Sequence, residues 1–128
     1  MKIITTLILT TLLNICLYSQ YNDIDWNTQD NCYHQIIKYY DGGSIKEVGC
    51  YNEALERTGS WHLFSPEGNK IALVSFDNHG NKHGDWKIWS DSGDLKAHMK
   101  YNHGKRSGTW VAILEDGTIQ EKKYTTNE

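Results

Sequence analysis

The sequence holds no run of basic residues, a single proline and no nucleophile elbow of the Gly-x-Ser-x-Gly kind. Each absence removes a class of function. The 13 Lys and Arg are outnumbered by 16 Asp and Glu, for a formal net charge of −3. A mildly acidic chain without a basic stripe is a poor partner for nucleic acid, and equally for strong electrostatic docking on anionic lipid. Ser75, Ser90 and Ser107 have no base-and-orienter pattern around them, so nucleophilic catalysis is not expected. Carboxylates are scattered, and Asp91 and Asp94 bracket a turn, where Asp serves turn geometry. His79, His83 and His103 fall in neighbouring loops, but no Cys or carboxylate completes a ligand set within either loop. No metal and no cofactor are therefore expected. The expectation is a protein that is not an enzyme.

Long apolar runs are confined to the first 20 residues. Lys2 supplies a short positive start, Ile3 to Leu17 form an apolar stretch softened by threonines and Asn14, and Tyr18-Ser19-Gln20 offers a small residue for cleavage. Residues 1–20 read as a secretory signal peptide. An uncleaved anchor would need about 20 apolar residues, more than this interrupted run provides. Lipidation at Cys16 would want a small residue before it, and Ile15 stands there. Export places the chain in the periplasm, on the outer cell surface or outside the cell, with no transmembrane span once the leader is removed. The mature part carries 12 basic against 16 acidic side chains, because Lys2 is the only charge in the leader.

Two cysteines remain, Cys32 and Cys50, and an oxidising compartment invites a bridge between them. They lie on opposite arms of the first predicted hairpin, around Asp41-Gly42-Gly43. A two-residue turn at Gly42-Gly43 sets Cys32 opposite Glu53, whereas a three-residue loop at Tyr40-Asp41-Gly42 sets the cysteines face to face. Register decides between a disulfide and two free thiols.

What the sequence does have is a repeat. Gly59-Ser60-Trp61, Gly84-Asp85-Trp86 and Gly108-Thr109-Trp110 recur at spacings of 25 and 24 residues. Tyr51, Phe76, Tyr101 and Tyr124 each close an apolar stretch in phase with them. Gly43, Gly68, Gly93 and Gly117 mark polar turns shortly before Ile45, Ile71, Leu95 and Ile119. Leu95 to Tyr101 alternates apolar and charged residues with period two, the signature of a half-buried strand. The partner strands are the Trp runs (Trp61 to Phe64, Trp86 to Trp89, Trp110 to Leu114), and longer loops run from Asn52 to Gly59, Asp77 to Gly84 and Asn102 to Gly108. The fold class is all-β: stacked β-hairpin repeats in an elongated, twisted antiparallel sheet with a period of about 24–25 residues. Residues 21–33 form a polar linker or cap with Ile24 and Trp26 as anchors, and residues 34–128 hold about four repeats. An isolated hairpin is barely stable in water, so the repeat exists to bury an aromatic seam by stacking.

The segment Tyr101-Asn102-His103-Gly104-Lys105-Arg106-Ser107-Gly108-Thr109-Trp110 resembles the Y-x-x-G-K-x-x-G-x-W unit of MORN-like repeats, and more narrowly the bacterial YwqK-type antitoxins. The second copy keeps Phe76, Gly80, Lys82, Gly84 and Trp86 with one additional loop residue, and the first keeps Tyr51, Arg57, Gly59 and Trp61 without the middle glycine. The likeness spans about residues 39–124. It implies a stacked-hairpin fold and a protein partner that is neutralised, although such antitoxins belong in the cytoplasm and this chain carries an export signal.

Trp61, Trp86 and Trp110, in phase with the glycines, read as packing residues rather than a ligand-stacking ladder. Trp89 falls out of phase with Trp86 and is the candidate exposed contact, together with His79, His103 and Arg106. The partner these suggest is another protein; the alternative is a glycan or lipid of the cell envelope met by exposed aromatics such as Trp89 and Tyr40.

Overall fold

The computed structural model describes residues 32–125; the expected leader and most of the polar segment before Cys32 lie outside the described residues. Eight strands follow one another: β1 (His34–Tyr39), β2 (Ile45–Tyr51), β3 (Arg57–Phe64), β4 (Lys70–Phe76), β5 (Gly84–Trp89), β6 (Leu95–Asn102), β7 (Lys105–Ile113) and β8 (Ile119–Tyr124). They form one antiparallel sheet in the order of the sequence, open at β1 and β8. No helix occurs among the described residues. The chain is all-β, built from consecutive hairpins.

The short turns are four copies of one device. In each, the residue that opens the loop donates its N–H four residues ahead, and its carbonyl accepts from the third loop residue: Tyr40 with Ser44 and Gly43, Ser65 with Asn69 and Gly68, Ser90 with Asp94 and Gly93, Leu114 with Thr118 and Gly117. The third loop residue sits at φ between 83° and 91° in all four copies. Glycine adopts that conformation without the Cβ penalty that other residues meet.

The first of these turns answers the cysteine question in a way neither predicted register does. Its loop is Asp41-Gly42-Gly43, so Tyr39 faces Ile45, and Lys46 is then extruded as a bulge before Lys38 meets Glu47. The bulge restores the register of a two-residue turn, with Gln35 opposite Cys50 and His34 opposite Tyr51. Cys32 is nevertheless bonded to Cys50, at a Cα–Cα distance of 5.3 Å. It reaches there because β1 begins only at His34: Tyr33 donates to the Tyr51 carbonyl, and Cys32 lies one residue before it.

The longer loops are shorter than expected. Arg57 and Thr58 already belong to β3, and Lys105 to Gly108 to β7. The third connection is a two-residue turn in which His103 (φ 45°) and Gly104 (φ 85°) are both left-handed. That geometry matches the twist of the flanking strands, and its compactness accounts for the spacing of 24 in place of 25. The first connection has the five-residue form of the second, with Leu55 (φ 61°) standing where the second has Gly80.

The Gly-x-Trp triplets are bulges. Between β2 and β3 the pairing passes from Cys50↔Thr58 to Val48↔His62, so Gly59, Ser60 and Trp61 lie opposite Gly49 alone. Between β6 and β7 it passes from Lys100↔Ser107 to His98↔Val111, setting Gly108, Thr109 and Trp110 opposite Met99. Bulges bend a strand and re-aim its side chains. Here they swing each indole across the neighbouring strand, and its N–H donates to a backbone carbonyl there: Trp61 to Cys50 at 3.2 Å, Trp86 to Ser75 at 2.8 Å, Trp110 to Lys100 at 2.9 Å.

Candidate partner-binding face

Register assigns the side chains to two faces. Tyr51, Trp61, Val74, Phe76, Trp86, Met99, Tyr101, Trp110 and Tyr124 share one, since facing residues in a ladder point the same way. Their rings touch in series. Tyr51 meets Trp61 at 5.2 Å between centroids, and Phe76 meets Trp86 at 5.4 Å. Trp86 meets Tyr101 at 5.2 Å, Tyr101 meets Trp110 at 5.0 Å, and Trp110 meets Tyr124 at 4.9 Å.

A cation bridges every second step of the series. Arg57 lies over Trp61 at 4.1 Å and reaches Phe76 at 6.0 Å, bridging the one step without a ring pair. Lys82 lies over Trp86 and Tyr101, and Arg106 over Trp110 and Tyr124. Each such pair contributes about 0.5–1 kcal/mol where it stays exposed. The basic position of the repeat is therefore Arg106 together with Lys82 and Arg57, two residues before the glycine of each triplet. Lys105, expected in the repeat signature, stands beside the turn, while Arg106, expected as a partner contact, caps the ladder.

The face is closed at one end and open at the other. Trp61 is 0 % exposed and forms a cluster with Ala72 and Val74, packed round by Ile36, Tyr51, Leu63, Phe76 and Trp86. Glu47 is buried beside this cluster and holds Lys38 at 2.7 Å and Arg57 at 2.9 Å. Burial alone pushes the Glu47 carboxyl up, but the Lys38 hydrogen bond and the Arg57 charge outweigh it and hold the group below its ordinary range. Trp110 is only half-buried, and a groove of about 500 Å³ opens next to it, lined by Ala97, Met99, Ala112 and Gln120. The cause of the difference is local. A Cβ on Gly49 would fall 2.1 Å from the Trp61 ring, so the indole lies directly on the β2 backbone. Met99 stands at the corresponding place opposite Trp110, where it adds the side chain that Gly49 lacks.

On the opposite face Val48, Cys50 and Thr58 are buried. His62 sits there between Val48 and Leu73, and its Nδ1 has no hydrogen-bond partner among the described residues. Burial, helped by the Lys70 charge, lowers its pKa from 6.5 to about 4, so it is neutral at physiological pH. Towards the C-terminus the same face turns polar, with Asp85 paired to His98 at 2.8 Å.

Along the loop edge, Asp77 ties neighbouring repeats together. Its carboxylate, only 8 % exposed, accepts from His103 Nδ1 at 2.7 Å and from the backbone N–H groups of His79 and Asn81. Burial works against ionisation, yet these donors outweigh it and hold Asp77 far below its ordinary pKa. The His103 ring lies 4.4 Å from that of His83, and the His103 N–H donates to His83 Nδ1. His103 is thus an inter-repeat clasp, whereas His79 lines a separate cavity with Cys32, Tyr33, Asn52 and Glu53. No group of three metal-ligating side chains is assembled among the described residues.

The remaining expected contacts are less open than their sequence positions imply. Trp89 is half-buried and is not among the exposed large apolar side chains. Tyr40 is half-buried as well, and its hydroxyl donates to the Phe64 carbonyl at 2.9 Å. Asp77, Glu47 and Gly49 went unnoticed in the sequence. Only Gly49 carried a signal, as a glycine inside a predicted strand, which marks close backbone approach.

Fold and face together define an open, single-layer sheet of stacked hairpins carrying one aromatic face. No family model matches the chain, and neither a curated protein nor a solved structure is significantly similar to it.

Proposed function

We propose that this chain is an exported, non-catalytic repeat module that binds another protein through the open end of its aromatic face, in the manner of an immunity or antitoxin-like neutraliser. The observation that carries the reading is the contrast between Trp61, sealed into a cluster, and Trp110, left beside the apolar groove of Ala97, Met99 and Ala112. An apolar groove with a half-exposed Trp and a polar rim has the anatomy of a protein-binding patch. The likeness of residues 101–110 to the MORN-like unit supports the same reading, and the apolar leader supports export.

The test compares the tagged protein with an Ala112→Arg variant, both shown to be folded by their melting curves, as baits in an envelope extract of the producing cells. A stoichiometric protein partner held by the wild type and lost from Ala112→Arg is the expected result. A wild-type bait that retains no protein, while its Trp fluorescence responds to envelope polysaccharide, would replace the protein partner with a glycan.

A further inference from the structure

The C-terminal edge of the sheet concentrates positive charge in a chain that is acidic overall. Lys105 and Arg106 from β7, and Lys122 and Lys123 from β8, line one cavity of about 570 Å³ with Tyr124 and Thr125, and among the described residues no carboxylate contributes to its wall. None of the four cations has an ion-pair partner among the described residues. At the other end of the sheet, Lys38 and Arg57 are both paired with Glu47. Four uncompensated cations around one cavity form a site for carboxylates or other anions.

The same corner is where the aromatic series stops. Tyr101 lies between Trp86 and Trp110, at 5.2 and 5.0 Å. Tyr124 has Trp110 on one side at 4.9 Å and no ring on the other among the described residues. Among the described residues β8 pairs with β7 alone, so its outer edge offers backbone donors and acceptors to an extended chain. The strand is also graded along its length. Ile119 is 60 % exposed at one end, and the cations gather at the other.

We propose that β8 receives an acidic extended segment of the partner protein as a ninth strand, its carboxylates held by Lys105, Arg106, Lys122 and Lys123. Every pairing in this sheet is antiparallel. Added in that sense, the segment begins with its acidic residues beside Tyr124 and ends with aliphatic ones beside Ile119. An aromatic within it packs against Tyr124, extending the series beyond the ring that Arg106 and Lys122 already cover. The inference rests on the protein-binding reading and adds to it the edge used and the chemistry of the segment that binds.

The probe is a fluorescein-labelled nonapeptide with the sequence of residues 105–113, carrying glutamate at its first two places; its control keeps the original lysine and arginine. The full chain is titrated with both by anisotropy at low salt, and amide hydrogen exchange is followed over residues 119–124. The acidic peptide is expected to bind roughly tenfold more tightly than the control, with salt weakening it, and to slow exchange across β8. The Lys122→Glu/Lys123→Glu variant, folded by circular dichroism, is expected to lose that preference. Equal binding of the two peptides, or tight binding without slowed exchange in residues 119–124, would overturn the edge assignment. So would protection of β8 by phosphatidylglycerol vesicles or heparin in place of the acidic peptide. If the edge fails in this way while the Ala112→Arg bait still loses its partner, the ninth strand is wrong and the groove reading stands.

Discussion

The two ends of the sheet are built from the same repeat and reach different states. Around β2, β3 and β4 the repeat makes a core: Trp61, Val48, Cys50 and Thr58 are fully buried, and a disulfide and a buried carboxylate flank them. Around β6, β7 and β8 the same ring series and the same indole hydrogen bond occur, yet only Tyr101 and Ser107 are buried. The motif therefore dictates backbone path, bulge and ring contacts, while burial depends on residues outside the motif. Gly49 lets one indole settle on the backbone; Met99 puts a side chain at the corresponding place opposite another. A repeat protein can thus hold its fold with one half and present a surface with the other, without any change of architecture.

Removing the rings tests this contrast most directly. Trp61→Ala is expected to cost about 4 kcal/mol, the range for truncating a fully buried aromatic. Trp110→Ala, at a half-exposed site, should cost about 1 kcal/mol. Urea unfolding curves give both numbers, and equal costs would mean that the two ends share one level of packing.

Acid should act on the closed end through His62. Its folded pKa of about 4 lies below the ordinary 6.5, so the unfolded chain binds the proton more readily. Stability is complete above about pH 6.5 and is lost progressively as pH falls towards about 4, by about 3 kcal/mol in total. In His62→Gln this part of the pH dependence should disappear. A wild-type melting temperature unchanged between pH 7 and pH 4.5 would show that His62 is solvated.

The smallest effect concerns Leu55, 68 % exposed and held at φ 61°. Leu55→Gly replaces a strained residue with the type that the next repeat uses at Gly80, and should raise stability by about 0.5 kcal/mol. A loss on thermal unfolding would mean that the exposed Leu side chain makes contacts that outweigh the backbone strain.

Much of the architecture was legible in the residues, because a repeat writes each feature several times. The glycines of the short turns, the alternation in Leu95 to Tyr101 and the phase of the tryptophans each point to paired strands, and they agree with one another. What stayed hidden depends on single residues. The extrusion of Lys46 reset the register around the cysteines, and nothing in the sequence marks which residue bulges. The two-residue turn at His103-Gly104 shifted the basic position from Lys105 to Arg106, since one missing loop residue changes the alignment of everything behind it. The Asp77–His103 clasp joins loops 26 residues apart, and its partners share no local pattern. The open groove beside Trp110 was illegible for the same reason, as it depends on which side chains stand opposite one another across three strands.

The bridge between Cys32 and Cys50 has a mechanical consequence. A pull on the segment before Cys32 is carried through the sulfur atoms to β2, and β1 hangs in the closed loop without bearing load. The strand at that edge cannot be peeled from its free end. At the far edge no such link exists: tension on the segment after Tyr124 opens the β7–β8 ladder one pair at a time, starting at Gly108 and Tyr124. One end of the sheet behaves as an anchor point and the other as a zip.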